Sequence, residues 1–137
     1  MLSVRQVLIL SGVAVLFWIG ATAFIRFLPA MVIDPVQGSL GFLTSIPVCW
    51  LCVWFGRRVA GLSAAQLVPG IALVVALATL IDGAALRWAH QLYSDNEAVC
   101  RLGAAWLLWG YGISLGIALL MQRRMATASR TPAAFAA

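Results

Sequence analysis

The sequence predicts an all-α fold, a bundle of four transmembrane helices, and three observations carry that prediction. Of its 137 residues, 64% are hydrophobic and 9% charged, against about half and about a quarter in soluble domains. The apolar residues gather into four runs, each near the roughly 20 residues that a bilayer-crossing helix needs. No run alternates every second residue as a strand would, and a segment in lipid must satisfy its backbone internally. A soluble chain this short could not bury so much apolar surface, so the bilayer is the expected solvent.

The first run covers 7–28, broken near its end by Arg26. The second covers 39–55 and is the shortest. The third, 67–89, is interrupted by Asp82 and Arg87. The fourth, 98–121, carries Arg101 in its first turn. Residues 1–125 therefore read as one domain, and 126–137, without periodic pattern, as a mobile cytoplasmic tail. The links "PAMVIDPVQG", "GRRVAGLSAA" and "HQLYSDNE" are short, which predicts antiparallel neighbours in up-down-up-down order. Pro29 and Pro35 suit the first link, because proline cannot continue a helix. Pro69 falls in the first turn of the third helix, where proline is tolerated. Pro47 lies inside the second helix, where it predicts a kink and a freed carbonyl near Leu43.

Orientation follows from arginine placement. Arg5, Arg57, Arg58, Arg123, Arg124 and Arg130 belong to one side, and Arg26, Arg87 and Arg101 to the other. The richer side is expected in the cytoplasm, with both termini there, in a bacterial inner membrane. Phe24, Phe27, Trp88 and Tyr93 then form the outer aromatic belt. Net charge is +5, but the arginines sit at run ends without a continuous stripe, so membrane anchoring explains them and nucleic acid is not an expected partner. Arg5, an apolar core and Ala21-Thr22-Ala23 also resemble a cleavable signal. Against cleavage, the apolar run continues through Phe24 and Ile25.

"PVCWLC", residues 47–52, places Cys49 and Cys52 one turn apart. Pro47, Cys49, Cys52 and Arg57 resemble the quinone-coupled disulfide-forming membrane proteins of bacteria, four-helix bundles with a Pro-Cys-x-x-Cys element. That resemblance implies a thiol-redox site on the outer side. Here the pair lies close to Arg57 and Arg58, on the expected cytoplasmic and reducing side, and the outer links hold one cysteine, Cys100, where the family needs a pair. The bundle reading is packing: Gly41, Ser45, Cys49, Cys52 and Gly56 make a small-residue stripe that lets membrane helices approach closely. Zinc wants four ligands, and the single histidine, His90, belongs to the opposite side. A lone histidine also fails to supply the two axial ligands of a bundle haem. No cofactor or metal is expected.

Asp82 is the most informative residue. An ionisable group inside a span is costly and normally faces the bundle interior with a partner. The expected partner is Arg26 or Arg101, in an intramembrane ion pair. As a site, Asp82 would serve a proton, a cation or a substrate. Trp106, Trp109 and Tyr111 either line a pocket or pack the core. Gly110 with Ser114, and Gly112 with Gly116, form two small-residue ridges one register apart, one for the bundle and one for a dimer face.

"GATAFIRFL", "LIDGAALRWAHQLYSDN" and "AAWLLWGYGISL" together resemble a bacterial domain-of-unknown-function family of small four-helix integral membrane proteins. Arg26 and Asp82 match that pattern, while Tyr93-Ser94-Asp95-Asn96 lacks the proline of its Tyr/Phe-Pro-Asn link. The resemblance implies topology and no activity. The expected role is a non-enzymatic accessory or scaffold subunit whose partners are the lipid bilayer and a homo-oligomer or larger membrane complex. The alternatives are a small oligomeric transporter or channel with Asp82 in the path, and a thiol-redox protein using Cys49 and Cys52.

Overall fold

The computed structural model describes residues 1–128. Four long helices dominate: α1 (Val4–Phe27), α3 (Pro35–Ala60), α4 (Ala64–Trp88) and α5 (Glu97–Ala128), with a short α2 (Pro29–Ile33) between the first two. All four are long and apolar enough to cross a membrane. A 3-10 turn, His90–Leu92, precedes α5.

The helices are longer than hydropathy alone suggested, because capping side chains set where they begin. Ser3 starts α1: its hydroxyl accepts from Gln6 N–H, and Gln6 Oε1 accepts from Ser3 N–H at 2.9 Å. Asp34 starts α3, accepting from Val36 and Gln37 N–H, with Pro35 as the first helical residue. Asn96 Oδ1 accepts from Ala98 N–H at 2.9 Å at the start of α5. Much of the expected first link is therefore helical, and the second shrinks to Gly61–Ser63. Gly61 ends α3 at φ 61°, a left-handed turn that glycine takes without steric cost. Pro69 sits one turn deeper in α4 than expected, since α4 begins at Ala64. At the chain end, α5 continues through Ala128. Of the segment expected as a tail, 129–137 lies outside the described residues.

Two ends of the bundle are defined by contacts. At the Ser63 end, Gln6 and Gln66 exchange side-chain amide hydrogen bonds of 3.2 Å, and Gln6 Nε2 also donates to the Ala60 carbonyl. At the Asn96 end, Ile25 of α1 packs on Gly103 of α5 so closely that a Cβ there would lie 3.0 Å from Ile25 Cδ1. Helix α4 packs closely on both α1 and α5, and α3 packs on α5. Helices α1 and α3 barely touch along most of their length. The core falls into two clusters, one around Leu10, Ala14, Leu67 and Ala118 and one around Ile25, Tyr93 and Val99.

The helix pairs repeat in kind. Ser3-x-x-Gln6 opens α1 and Ser63-x-x-Gln66 opens α4; an Asx side chain opens both α3 and α5. The corresponding pairs are α1 with α3 and α4 with α5, yet the first is open where the second is closed.

Candidate functional site

Asp82 is 4% exposed and lies where α1, α4, α5 and the link before α5 converge. One carboxyl oxygen accepts from the Tyr93 hydroxyl and the other from the Tyr111 hydroxyl. The Tyr93 oxygen in turn accepts from the Trp18 indole N–H at 2.9 Å. The chain has two tyrosines, and both end on this one acid. Tyr93 belongs to the link outside the spans. Burial, and next the Asp82 carboxyl beside it, push its phenol up to about 12, so it keeps its proton and remains a donor at neutral pH.

These partners replace the expected arginines. Arg26 donates from Nη1 to the Gln91 carbonyl at the surface, Arg101 is exposed, and among the described residues no arginine forms an ion pair with Asp82. The physical reason is desolvation. Bringing a guanidinium to a buried acid strips both charges of water, whereas a phenol carries an apolar ring inward with one hydroxyl at its tip. Tyr93, expected in the outer aromatic belt, is 1% exposed because it folds back into the bundle for this purpose.

Beside this cluster, the gap between α1 and α3 is a cavity of about 640 Å³. Its floor is made by buried or half-buried residues of α4 and α5, among them Val74, Ala78, Leu107 and Tyr111. Its rim is made by exposed residues of α1 and α3, such as Leu16, Gly20, Leu40 and Val48. Met31 of α2 closes it at the Asn96 end. The lining is apolar apart from a few uncharged groups, and no arginine, carboxylate or histidine belongs to it. Asp82 is not in the wall; Tyr111 stands between the acid and the cavity, touching both.

The cysteines fall on that wall. Cys49 and Cys52 line the cavity, and the Cys49 thiol points to the Gly110 carbonyl of α5 at 3.5 Å. The small-residue stripe of α3 thus brings α3 against α5 but leaves space toward α1. Cys100 is elsewhere, its thiol pointing to the Ser94 carbonyl at 3.3 Å. Gly110 and Ser114 face the cavity, whereas Gly112 and Gly116 are on the exposed side of α5, with nothing near their missing Cβ positions. Trp106 and Tyr111 line the cavity, whereas Trp109 is outside its wall and 40% exposed. Trp106 lines the cavity and stacks on Phe24 with ring centroids 5.0 Å apart. Their indole N–H groups donate to the Gly41 and Phe42 carbonyls of α3, at 3.3 and 3.0 Å. Those carbonyls lie just before the backbone position that Pro47 leaves without a donor. His90 is exposed.

Sequence reasoning found the acid, missed its donors, and offered a pocket at Trp106, Trp109 and Tyr111 only as one of two readings, without its place between α1 and α3. The signal for the donors was present: two hydroxyl-bearing rings in a chain with one deeply placed carboxyl. The gap between α1 and α3 was not legible, because the same small residues describe a tight helix contact and an open one. No family model, curated protein or solved structure matches the chain.

Proposed function

We propose that this chain is a non-enzymatic accessory protein of a bacterial inner membrane, akin to the small four-helix family it resembles, that holds an apolar guest drawn sideways from the bilayer. In this reading its four helices cross in alternating directions, with the Ser63 end and both termini in the cytoplasm. The arginine distribution supports that orientation, since Arg5, Arg57, Arg58, Arg123 and Arg124 belong to the Ser63 end.

The observation that carries the proposal is the cavity between α1 and α3. Its volume, about 640 Å³, lies inside the roughly 300–1,000 Å³ range of ligand pockets. Its rim faces the direction from which lipid would come, and its floor is the closed face of the bundle. Tyr111 connects the two parts of the site: the acid holds the ring that forms part of the cavity wall.

Val48 is on the rim and 54% exposed, so Val48→Trp fills the mouth without entering the core. The protein is released in mild detergent and weighed intact by native mass spectrometry, with helicity as the folding control. Wild type is expected to retain a bound apolar molecule, and Val48→Trp to lose at least four-fifths of it. Equal retention by a folded Val48→Trp overturns the proposal. Reporter fusions at both ends check the orientation; the expected result is cytoplasmic signal from each.

A further inference from the structure

We infer that the chain is one helical hairpin built twice, its two copies related by a two-fold axis along the α1–α4 contact, and that the acid–phenol cluster is a lock carried by the second copy alone. The α1–α3 gap is then the space that the lock closes between α4 and α5. This holds whatever covers the gap and does not depend on its being a binding site.

The axis shows first at the Ser63 end. Ser3 N–H donates to Gln6 Oε1, and sixty positions on Ser63 N–H donates to Gln66 Oε1. The two glutamines also bond to each other, each amide donating to the other's oxygen at 3.2 Å. A contact in which each partner makes the same bond to the other is what a two-fold axis produces. One turn deeper Leu10 meets Gly70, where an added Cβ would lie 3.3 Å from Leu10 Cδ1. Ala14 and Val74 share the next core cluster. In the same register Thr22 corresponds to Asp82, and the Tyr93 hydroxyl lies beside both. Ile25 and Ala85 then share the second cluster. Counterparts therefore face one another along both helices, which run in one direction.

The second helices of the two copies repeat as well, two positions further apart. Asp34 Oδ1 accepts from Val36 and Gln37 N–H, two and three residues on, and Asn96 Oδ1 accepts from Ala98 and Val99 N–H at the same spacing. Counted from those caps, Met31 holds the place of Tyr93 and Cys49 that of Tyr111. Thr22, Met31 and Cys49 thus stand where the other copy has its acid and two phenols, and they do not bond to one another. The Thr22 hydroxyl is buried and completes no hydrogen bond. The Cys49 thiol turns to the Gly110 carbonyl, and Met31 and Cys49 both line the gap. In the second copy a carboxyl of α4 takes a phenol of α5. Polar bonds of this kind join helices in a membrane, where no water competes for them. The copy that has the bond is closely packed, and the copy that lacks it is open.

The test transplants the lock within the full chain. Nitroxide labels are placed through Leu16→Cys and Val48→Cys, on the rims of α1 and α3. The reference background carries Cys49→Ala, Cys52→Ser and Cys100→Ser. Replacing Cys49→Ala by Cys49→Tyr and adding Thr22→Asp is expected to shorten the label distance, read in vesicles by pulsed electron–electron resonance. Either change alone is expected to leave it where it was. A folded lock variant that keeps the reference distance overturns the lock. A second arm moves the acid. Asp82→Thr is expected to lower the midpoint of denaturant unfolding in detergent, and Thr22→Asp added to it to restore most of the loss, because Tyr93 then meets a carboxyl on its other side. Thr22→Asp alone should lower the midpoint, since it brings a second acid to the same phenol inside the span. If Thr22→Asp restores nothing in the Asp82→Thr chain, the two positions are not equivalent and the two-fold relation falls. Helicity is the folding control; if the lock variant does not fold, the acid transfer decides alone.

Discussion

Asp82 shows how one buried acid can be accommodated without a cation. Its two carboxyl oxygens each receive a phenol, from Tyr93 and from Tyr111, and the Trp18 indole N–H completes the chain at Tyr93. Leaving a buried polar atom without a partner costs about 1–3 kcal/mol. Tyr93→Phe and Tyr111→Phe are each expected to destabilise the bundle by about 1–3 kcal/mol, read as the midpoint of denaturant unfolding in detergent. The two changes share a partner, so their double variant should depart from additivity by about 0.5–3 kcal/mol. Arg26→Gln is the contrasting case. Its side chain bonds to a surface carbonyl, and its loss should move the same midpoint by less than about 1 kcal/mol. A larger effect for Arg26→Gln than for Tyr111→Phe would mean that the arginine, and not the phenol, balances the acid.

Among the elements, α5 packs closely on both α4 and α3. Gly103 lets it close on Ile25, which is fully buried, and an added methyl would meet both Cδ1 and the stiff Cγ2 of that side chain. Gly103→Ala is therefore expected to destabilise by about 1–3 kcal/mol through overpacking, with the loss largely recovered in the double variant Gly103→Ala, Ile25→Val. Farther along, Trp106 and Trp109 place indole donors on α3 just ahead of Pro47. The same two carbonyls also accept from the Thr44 and Ser45 hydroxyls of the next turn. Trp109→Phe keeps the ring and removes the donor. It should cost about 1 kcal/mol, read as the same unfolding midpoint. These contacts also explain why α3 stays with α5 and leaves α1: its Gly41 and Phe42 acceptors and its Cys49 thiol all meet α5.

In the whole molecule, the two helix pairs begin alike and end in different packings. The Ser-x-x-Gln starts at Ser3 and Ser63, sixty positions apart in the chain numbering, meet through the Gln6–Gln66 amide pair. From that junction α4 and α5 close on one another, while α1 and α3 open around the cavity. Filling the mouth with Val48→Trp acts at this scale, because it changes the fit of the pair and leaves the Asp82 cluster untouched.

The four apolar runs, their number and their approximate places followed from composition and run length alone, since a chain with so few polar groups has one way to satisfy its backbone in lipid. Asp82 stood out for the same reason: one acid in a span is visible without coordinates. Helix ends were less legible, because Ser3, Asp34 and Asn96 act through hydrogen bonds to neighbouring N–H groups, which hydropathy does not register. What only the tertiary structure decided is who meets whom. Burial selected two phenols over the two expected arginines because a ring with a hydroxyl is easier to desolvate than a guanidinium. The stripe on α3 became a cavity wall because α1 is held away from it by its packing on α4, a contact between residues far apart in the chain that no local pattern encodes.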